Sequence, residues 1–153
     1  MRFLIPPQYN LNRTKQINSK FSGHDFFITH CLTIKTIMNN RILIIEDEIE
    51  LSGLLKRFLI KRHYEVICVE TLTKAMLLLQ SHSFDAIILD NNLPDGKGID
   101  FIPTINNIQN KPKIIAMSAI GVGEEALKAG ASVYIEKPIS MVSIYQLLNT
   151  KQE

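Results

Sequence analysis

The chain has 153 residues, of which 46% are hydrophobic and 21% are charged, and it is long enough to form one globular domain without disulfides or a structural metal. Its two cysteines lack the spacing of a metal site, and the absence of an unbroken apolar run of about 18 residues excludes a membrane-spanning helix. The formal net charge of +2 is unevenly distributed: residues 1–37 carry five basic residues and one acidic residue, whereas residues 38–153 carry 12 basic and 14 acidic residues.

Residues 1–37 show weak periodicity and no recognisable motif, so we expect a flexible basic extension. A tail that touches nucleic acid or anionic lipid is an alternative, but the cations are thinly spread and form no arginine cluster. A further alternative is that translation begins at Met38 and the extension is an artefact of start-site choice. Pro6 and Pro7 interrupt the segment before a signal-peptide core is complete. We therefore expect a cytoplasmic protein that binds neither nucleic acid nor a membrane.

The first regular pattern begins at residue 41. Apolar residues 42–45 run directly into Glu46, Asp47 and Glu48. An apolar run without alternation is typical of a parallel strand buried on both faces, so this segment predicts a first strand with an acidic carboxyl end. Apolar residues then recur at helical spacing to about Arg62, which predicts an amphipathic helix.

The next strand and helix lead to a distinctive acidic position. Residues 66–69 predict a second strand, and Thr71 is suited to cap a helix over residues 72–79. Residues 86–89 then form an apolar run that leads into Asp90 and the turn-forming sequence NNLPDGKG. Asp90 is therefore expected at the carboxyl end of a central parallel strand, where open α/β sheets carry their functional groups. The alternative is a solvated aspartate that only opens a turn.

Another helix and strand follow the glycine-containing turn. Isoleucines at helical spacing over residues 99–108 predict a third helix, in which Pro103 is tolerated if it falls in the first turn. Residues 114–117 predict the fourth strand, which ends at Ser118. This arrangement continues the alternation of strands and helices.

The last part of the chain completes the pattern. Residues 124–129 predict a brief helix that is closed by Gly130. Residues 133–135 predict the last strand, which stops just before Lys137, and residues 139–148 predict the final helix. Five strands that alternate with five helices indicate an α/β fold, with a parallel sheet covered by helices on both faces.

Chemically active side chains follow four of the five predicted strands. They are Glu46 and Asp47, Asp90, Ser118 and Lys137. Because the carboxyl ends of parallel strands share one edge, we expect these residues to meet in one pocket. Three carboxylates repel one another unless a cation is present, and their oxygen atoms favour Mg²⁺. A carboxylate can accept a phosphoryl group as an acyl phosphate, while the metal, Lys137 and Ser118 neutralise the phosphoryl oxygens.

Four motifs, RILIIEDE, FDAIILDNNLPDGKG, AMSA and VYIEKP, occur in the order and near the spacing of a known family. Through them, residues 41–149 resemble a response-regulator receiver domain of the bacterial two-component type. The resemblance implies a flavodoxin-like, doubly wound fold with five parallel strands in the order 2-1-3-4-5. It also implies that Asp90 is the phosphoacceptor, and that Glu46, Asp47, Asp90 and the backbone carbonyl of Asn92 form the Mg²⁺ site.

The same resemblance assigns the residues that would respond to phosphate. It implies that Ser118 is the switch hydroxyl and that Tyr134 is the switch aromatic residue. It further implies that Lys137 contacts the phosphate and precedes a cis peptide bond to Pro138. Each of these roles is carried over from the family motif that contains the residue.

Two features depart from the family pattern. Glu46 occupies a position where many relatives have Asp, which keeps the charge and lengthens the reach of the carboxylate. Only twelve positions separate Ser118 from Gly130, fewer than in many relatives. We therefore expect an unusual surface on the face that carries output in the family.

We expect a receiver domain over residues 38–150, followed by a tail over residues 151–153 and by no output domain. The leading hypothesis is a stand-alone receiver that accepts phosphate from a histidine kinase or phosphotransfer protein and then switches a surface for a downstream protein. It would catalyse its own phosphorylation and dephosphorylation at Asp90, without turning over an external substrate. One alternative is a binding module that ignores phosphorylation, which the complete acidic set disfavours. Another is a small-molecule phosphatase, which the lack of a cap or substrate-specific insertion disfavours.

Overall fold

The computed structural model describes residues 40–119 and 121–150. The predicted extension over residues 1–37, the start at Met38 and the tail over residues 151–153 lie outside the described residues, so these domain assignments stay predictions. Within this part of the chain, no helix has the length and apolar character that are needed to cross a membrane.

The described residues form five longer strands, five helices and a small hairpin. In chain order, the elements are β1 (Arg41–Ile45), α1 (Ile49–Ile60), β2 (Glu65–Val69), α2 (Leu72–Ser81), β3 (Ala86–Asp90), β4 (Asn92–Leu93), β5 (Gly96–Lys97), α3 (Gly98–Asn106), β6 (Lys113–Ser118), α4 (Gly123–Lys128), β7 (Val133–Glu136) and α5 (Met141–Asn149). The hairpin consists of β4 and β5, which pair antiparallel to each other. The hairpin was not predicted from the sequence.

The five longer strands form one parallel sheet in the order β2-β1-β3-β6-β7. Since the two-residue strands of the hairpin take the labels β4 and β5, this is the predicted order 2-1-3-4-5, and the predicted fold class is confirmed. The central strand β3 is buried along its whole length. Coverage on both faces explains why its sequence is apolar throughout and does not alternate.

Two apolar clusters lie on opposite faces of this sheet. Leu43 and Ile45 of β1 belong to a cluster with residues of α2, α3 and α4. Ile42 and Ile44 belong to a second cluster with residues of α1 and α5. Successive side chains of a strand point to opposite faces, so β1 supplies both clusters. The two clusters hold the strands in register and so fix the positions of their carboxyl ends.

Side-chain caps and a glycine set several helix boundaries. The Thr71 hydroxyl accepts a hydrogen bond from the N–H of Lys74 at 3.2 Å and begins α2, as predicted. Ser140 caps α5 in the same way, so this helix begins at Met141, two residues later than predicted. Gly130 follows α4 with a φ of +103°, a conformation that glycine adopts without strain.

Pro103 does not meet the condition under which the sequence would tolerate it, a place in the first helical turn. Helix α3 begins at Gly98, which makes Pro103 its sixth residue. The helix begins one residue before its predicted start, and the preceding loop supplies acceptors for its first N–H groups. The N–H of Gly98 donates to the carbonyl of Asn91 at 2.9 Å, and the N–H of Ile99 donates to Asn91 Oδ1 at 3.1 Å. Proline has no N–H for the carbonyl four residues before it, and α3 ends within one turn of it.

Candidate functional site

Three carboxylates meet at the carboxyl edge of the sheet. Glu46 and Asp47 directly follow β1, and Asp90 ends the neighbouring strand β3. One oxygen atom from each of the three lies within 4.8 Å of the others. Glu46 and Asp90 are buried, whereas Asp47 is exposed. The cluster therefore has a buried side and a side that is open to water.

Lys137, which follows β7, bridges two of these carboxylates. Its Nζ lies 2.7 Å from Asp90 Oδ1 and 2.9 Å from Glu46 Oε2. Burial alone would lower the pKa of Lys137, but the hydrogen bonds and charges of Asp90 and Glu46 outweigh burial and raise the pKa above its ordinary value of 10.5. Lys137 is therefore a cation at neutral pH. The peptide bond between Lys137 and Pro138 is cis.

The environment of Glu46 disfavours its negative charge. Burial raises the pKa of this carboxyl group above its ordinary value of 4.5, and the charge of Asp90 raises it further. The hydrogen bond from Lys137 and the N–H of Glu48, which donates to Glu46 Oε1 at 3.2 Å, act in the opposite direction. A second cation in the cluster would therefore stabilise the ionised form of Glu46.

The loop after Asp90 is held by its own backbone. The N–H of Asn92 donates to Asp90 Oδ2 at 2.8 Å, so both oxygens of Asp90 have partners. The Cα of Gly98 approaches the carbonyl of Asp90 so closely that a Cβ at this position would collide with it. Only glycine fits this approach, and the loop is thereby closed against the end of β3.

Ser118 and Tyr134 lie on adjacent strands beside the carboxylates. Ser118 is buried at the end of β6, and its carbonyl accepts a hydrogen bond from the N–H of Lys137 at 2.8 Å. Tyr134 lies on β7 and donates from its hydroxyl group to the carbonyl of Ala119 at 3.3 Å. Both residues line a narrow cavity under α3 and α4. The tyrosine ring packs against Gly123, where a Cβ would approach it to 2.8 Å.

The structure therefore brings Glu46, Asp47, Asp90 and Lys137 together directly, as the strand-end pattern predicts. Asn92 touches Asp90 through its N–H, and the predicted role of its carbonyl as a metal ligand stays a prediction. The functional roles predicted for the individual residues are not tested by these positions alone.

Sequence reasoning missed the contacts of Asp95, which it assigns to the turn. The Asp95 carboxylate accepts hydrogen bonds from the N–H of Leu72 at 2.9 Å, and from the N–H and the hydroxyl of Thr73 at 2.8 Å each. The pKa of Asp95 is lowered from its ordinary value of 3.8, mainly by the backbone hydrogen bonds from Thr73 and Leu72. The Pro-Asp-Gly turn is the only local signal, and it cannot identify partners 22 and 23 positions away.

Comparison with known proteins agrees with this geometry. The family model of the response regulator receiver domain matches residues 42–149. The chemotaxis protein CheY of Thermotoga maritima is 34% identical over 116 residues, which are 73% of this chain and 97% of that protein. The KDP operon transcriptional regulatory protein KdpE of Escherichia coli is 34% identical over 102 residues, which are 65% of this chain and 45% of KdpE.

A solved structure is similar as well. The crystal structure of a response regulator protein from Burkholderia pseudomallei, with a phosphorylated aspartic acid, a calcium ion and citrate, has a TM-score of 0.68 and 28% identity to this chain. The match covers 73% of this chain and 68% of that one. Together with the sheet order and the acidic edge, the family match and the full-length likeness to CheY show that this chain belongs to the response-regulator receiver domain family of two-component signalling.

Proposed function

We propose that this protein accepts a phosphoryl group on Asp90 from a histidine kinase or a histidine phosphotransfer protein, in a two-component or phosphorelay pathway. The observation that carries the proposal is the setting of Asp90 at the end of the central strand. Its side chain is 4% exposed, one of its oxygens lies 2.7 Å from Lys137 Nζ, and the other accepts a backbone N–H at 2.8 Å. These contacts fix the direction of the carboxylate before a donor arrives.

In the proposed reaction, a carboxylate oxygen of Asp90 attacks the phosphorus of a phosphohistidine. A P–O bond forms, the P–N bond breaks, and its electron pair stays on the departing imidazole, so the product is an aspartyl phosphate. The Lys137 ammonium group contributes positive charge next to the attacking carboxylate, and the Ser118 hydroxyl is a further donor for the phosphoryl oxygens. The chain thus catalyses its own modification.

The acidic cluster has the donor chemistry of a magnesium site. Three carboxylates offer oxygen atoms within 4.8 Å of one another, and Lys137, which bridges two of them, does not balance three negative charges. We assign Glu46, Asp47, Asp90 and the carbonyl of Asn92 as the residues that would hold Mg²⁺. When bound, the ion supplies positive charge to the phosphoryl oxygens. The Burkholderia relative contains both a phosphorylated aspartic acid and a calcium ion, which supports a divalent cation in this fold.

The proposal includes a change in a surface for a downstream protein. A phosphoryl group adds negative charge and acceptor oxygens, to which the Ser118 hydroxyl would turn. Ser118 and Tyr134 line the same narrow cavity, and the turn of the hydroxyl would leave space there into which the tyrosine ring can rotate. Residues 38–153 carry 12 basic and 14 acidic residues, a balance that gives no net attraction to nucleic acid or anionic membranes.

Acetyl phosphate with Mg²⁺ tests the proposal without knowledge of the kinase. Intact-protein mass spectrometry should show one added phosphoryl group on the wild type and none on Asp90→Asn, whose circular dichroism spectrum should match the wild type. Modification of Asp90→Asn would refute the assignment of the acceptor. A wild type that takes up neither phosphate nor beryllofluoride would refute the proposal in favour of a phosphorylation-independent binding module. Multiple turnover of an external phosphoester would instead indicate a phosphatase.

A further inference from the structure

We propose that Asp95 is a positioning residue for the magnesium site, because its carboxylate ties the loop that carries Asn92 to the amino end of α2. This inference rests on the proposed function, since it assigns Asp95 to the assembly of that metal site. Asp95 itself lies outside the acidic cluster formed by Glu46, Asp47 and Asp90.

The contacts of Asp95 use both of its carboxylate oxygens. Oδ1 accepts the N–H of Leu72, and Oδ2 accepts the N–H and the hydroxyl of Thr73, at 2.8 to 2.9 Å. The first N–H groups of a helix have no partner within the helix, and the positive end of the helix dipole favours a negative charge there. The three hydrogen bonds therefore form a tight junction between the loop and the helix.

Helix α2 already has a cap of its own. Thr71 accepts the N–H of Lys74 at 3.2 Å, so a local residue begins the helix in the ordinary way. Asp95 serves different N–H groups and comes from a segment more than twenty positions further along the chain. Thr71 caps its own helix, whereas the Asp95 carboxylate joins α2 to the loop that carries Asn92. It is this connection between two segments that affects the metal site.

The tie fixes the hairpin on which Asn92 lies. Asp95 lies in the turn between β4 and β5. In this hairpin, Asn92 of β4 is paired with Lys97 of β5. Gly96, on the other side of the turn, rests against α2, where a Cβ would lie 3.2 Å from a methyl group of Leu72. The tip of the hairpin thus depends on α2 for its position, while its base is held by the contacts of Asn91 with Gly98 and Ile99. The direction of the Asn92 carbonyl depends on both ends of the hairpin.

The backbone of Asp90 is held independently of this tie. It pairs with Met117 in the sheet, and the close approach of Gly98 fixes its backbone. Loss of the Asp95 carboxylate should therefore displace a metal ligand while the backbone of the nucleophile stays in place and Lys137 still binds Asp90 Oδ1; the Asp90 contact that can weaken is the one from the Asn92 N–H. The expected signature is weaker Mg²⁺ binding with a nearly normal rate of phosphorylation once Mg²⁺ is saturating.

The test compares Asp95→Ala with Thr71→Ala, which removes a cap from the same helix but leaves the loop intact. Calorimetric titration should show Mg²⁺ affinity lowered about tenfold in Asp95→Ala and unchanged in Thr71→Ala. The rate of phosphorylation by acetyl phosphate at saturating Mg²⁺ should stay within about twofold of the wild type in both variants. Wild-type affinity in Asp95→Ala, or an equal loss in Thr71→Ala, would overturn the inference and reduce Asp95 to a helix cap.

A measurement on the wild type serves if Asp95→Ala does not fold. Because coupling between two sites is reciprocal, Mg²⁺ should slow amide hydrogen exchange at Leu72 and Thr73 more than at Lys74, whose N–H is bonded to Thr71. Equal slowing at all three amides would overturn the inference. A wild type that does not bind Mg²⁺ would overturn the proposed function first, and this inference with it, so the two failures are distinguishable.

Discussion

Replacement of Lys137 by methionine should destabilise the metal-free protein by leaving two buried carboxylates without their cation. The side chains of Glu46 and Asp90 are 1% and 4% exposed. Removal of one partner from a buried ion pair costs about 3 to 5 kcal/mol. Since the Lys137 side chain is 24% exposed and water partly solvates the pair, we expect a loss at the lower end, about 3 kcal/mol. A domain of ordinary stability, about 5 to 15 kcal/mol, would remain folded.

The loss should depend on pH through Glu46. Its pKa is already raised by burial in the wild type, and Lys137→Met removes the hydrogen bond that lowers it. With a raised pKa, the folded state binds more protons than the unfolded state above the ordinary value of 4.5, so stability falls as the pH rises through the folded pKa. The variant should therefore lose more stability at about pH 8 than at about pH 5.

Urea unfolding, followed by circular dichroism, measures these differences in EDTA and in saturating Mg²⁺. Mg²⁺ should restore much of the lost stability, because it binds the native acidic cluster and replaces the missing charge. Lys113→Met is the matched control, since Lys113 Nζ donates to the carbonyls of Leu147 and Thr150, at 2.5 and 2.6 Å. The stability that Lys113→Met loses should depend on neither pH nor Mg²⁺. If Lys137→Met lost the same stability at both pH values and Mg²⁺ restored none of it, the idea that Lys137 offsets the charges of Glu46 and Asp90 would be refuted.

Two further substitutions test the metal site and the switch. Asp47→Ala should weaken Mg²⁺ binding in calorimetry and raise the stability of the metal-free protein, because it removes one of three repelling carboxylates; an unchanged Mg²⁺ affinity would count against the site. Ser118→Ala should still be phosphorylated at Asp90, but NMR shift changes on beryllofluoride binding should shrink across residues 121–148. A full wild-type response there would show that the hydroxyl is not the switch.

The sequence predicts the buried strands well, because a parallel strand covered on both faces must be apolar throughout. This is why β1 and β3 can be located from their runs of isoleucine and leucine. The order of the strands cannot be obtained in the same way. The apolar runs are chemically alike, and nothing local determines which pair; the order came from the family resemblance and is confirmed by the structure.

The sequence predicts those site residues that stand at the carboxyl ends of parallel strands. Acidic and basic residues at strand ends indicate that Glu46, Asp90 and Lys137 meet, but not that Lys137 bridges the other two, which depends on side-chain packing. The hairpin was missed because strands of two residues are too short for a periodic pattern. The partners of Asp95 were missed because the contact joins distant segments, which turn chemistry does not specify.

The order of charges along the chain has a consequence for synthesis. The three carboxylates arrive with β1 and β3, within residues 41–90, whereas Lys137 follows β7, the last strand. The chain is synthesised from its amino terminus. Strands β2, β1 and β3 are neighbours, so a nascent chain can assemble them, and with them the acidic edge, before Lys137 has been translated. At that stage Lys137 cannot offset the repulsion, so dissolved cations such as Mg²⁺ are needed there, and the final strand then adds the lysine beside them.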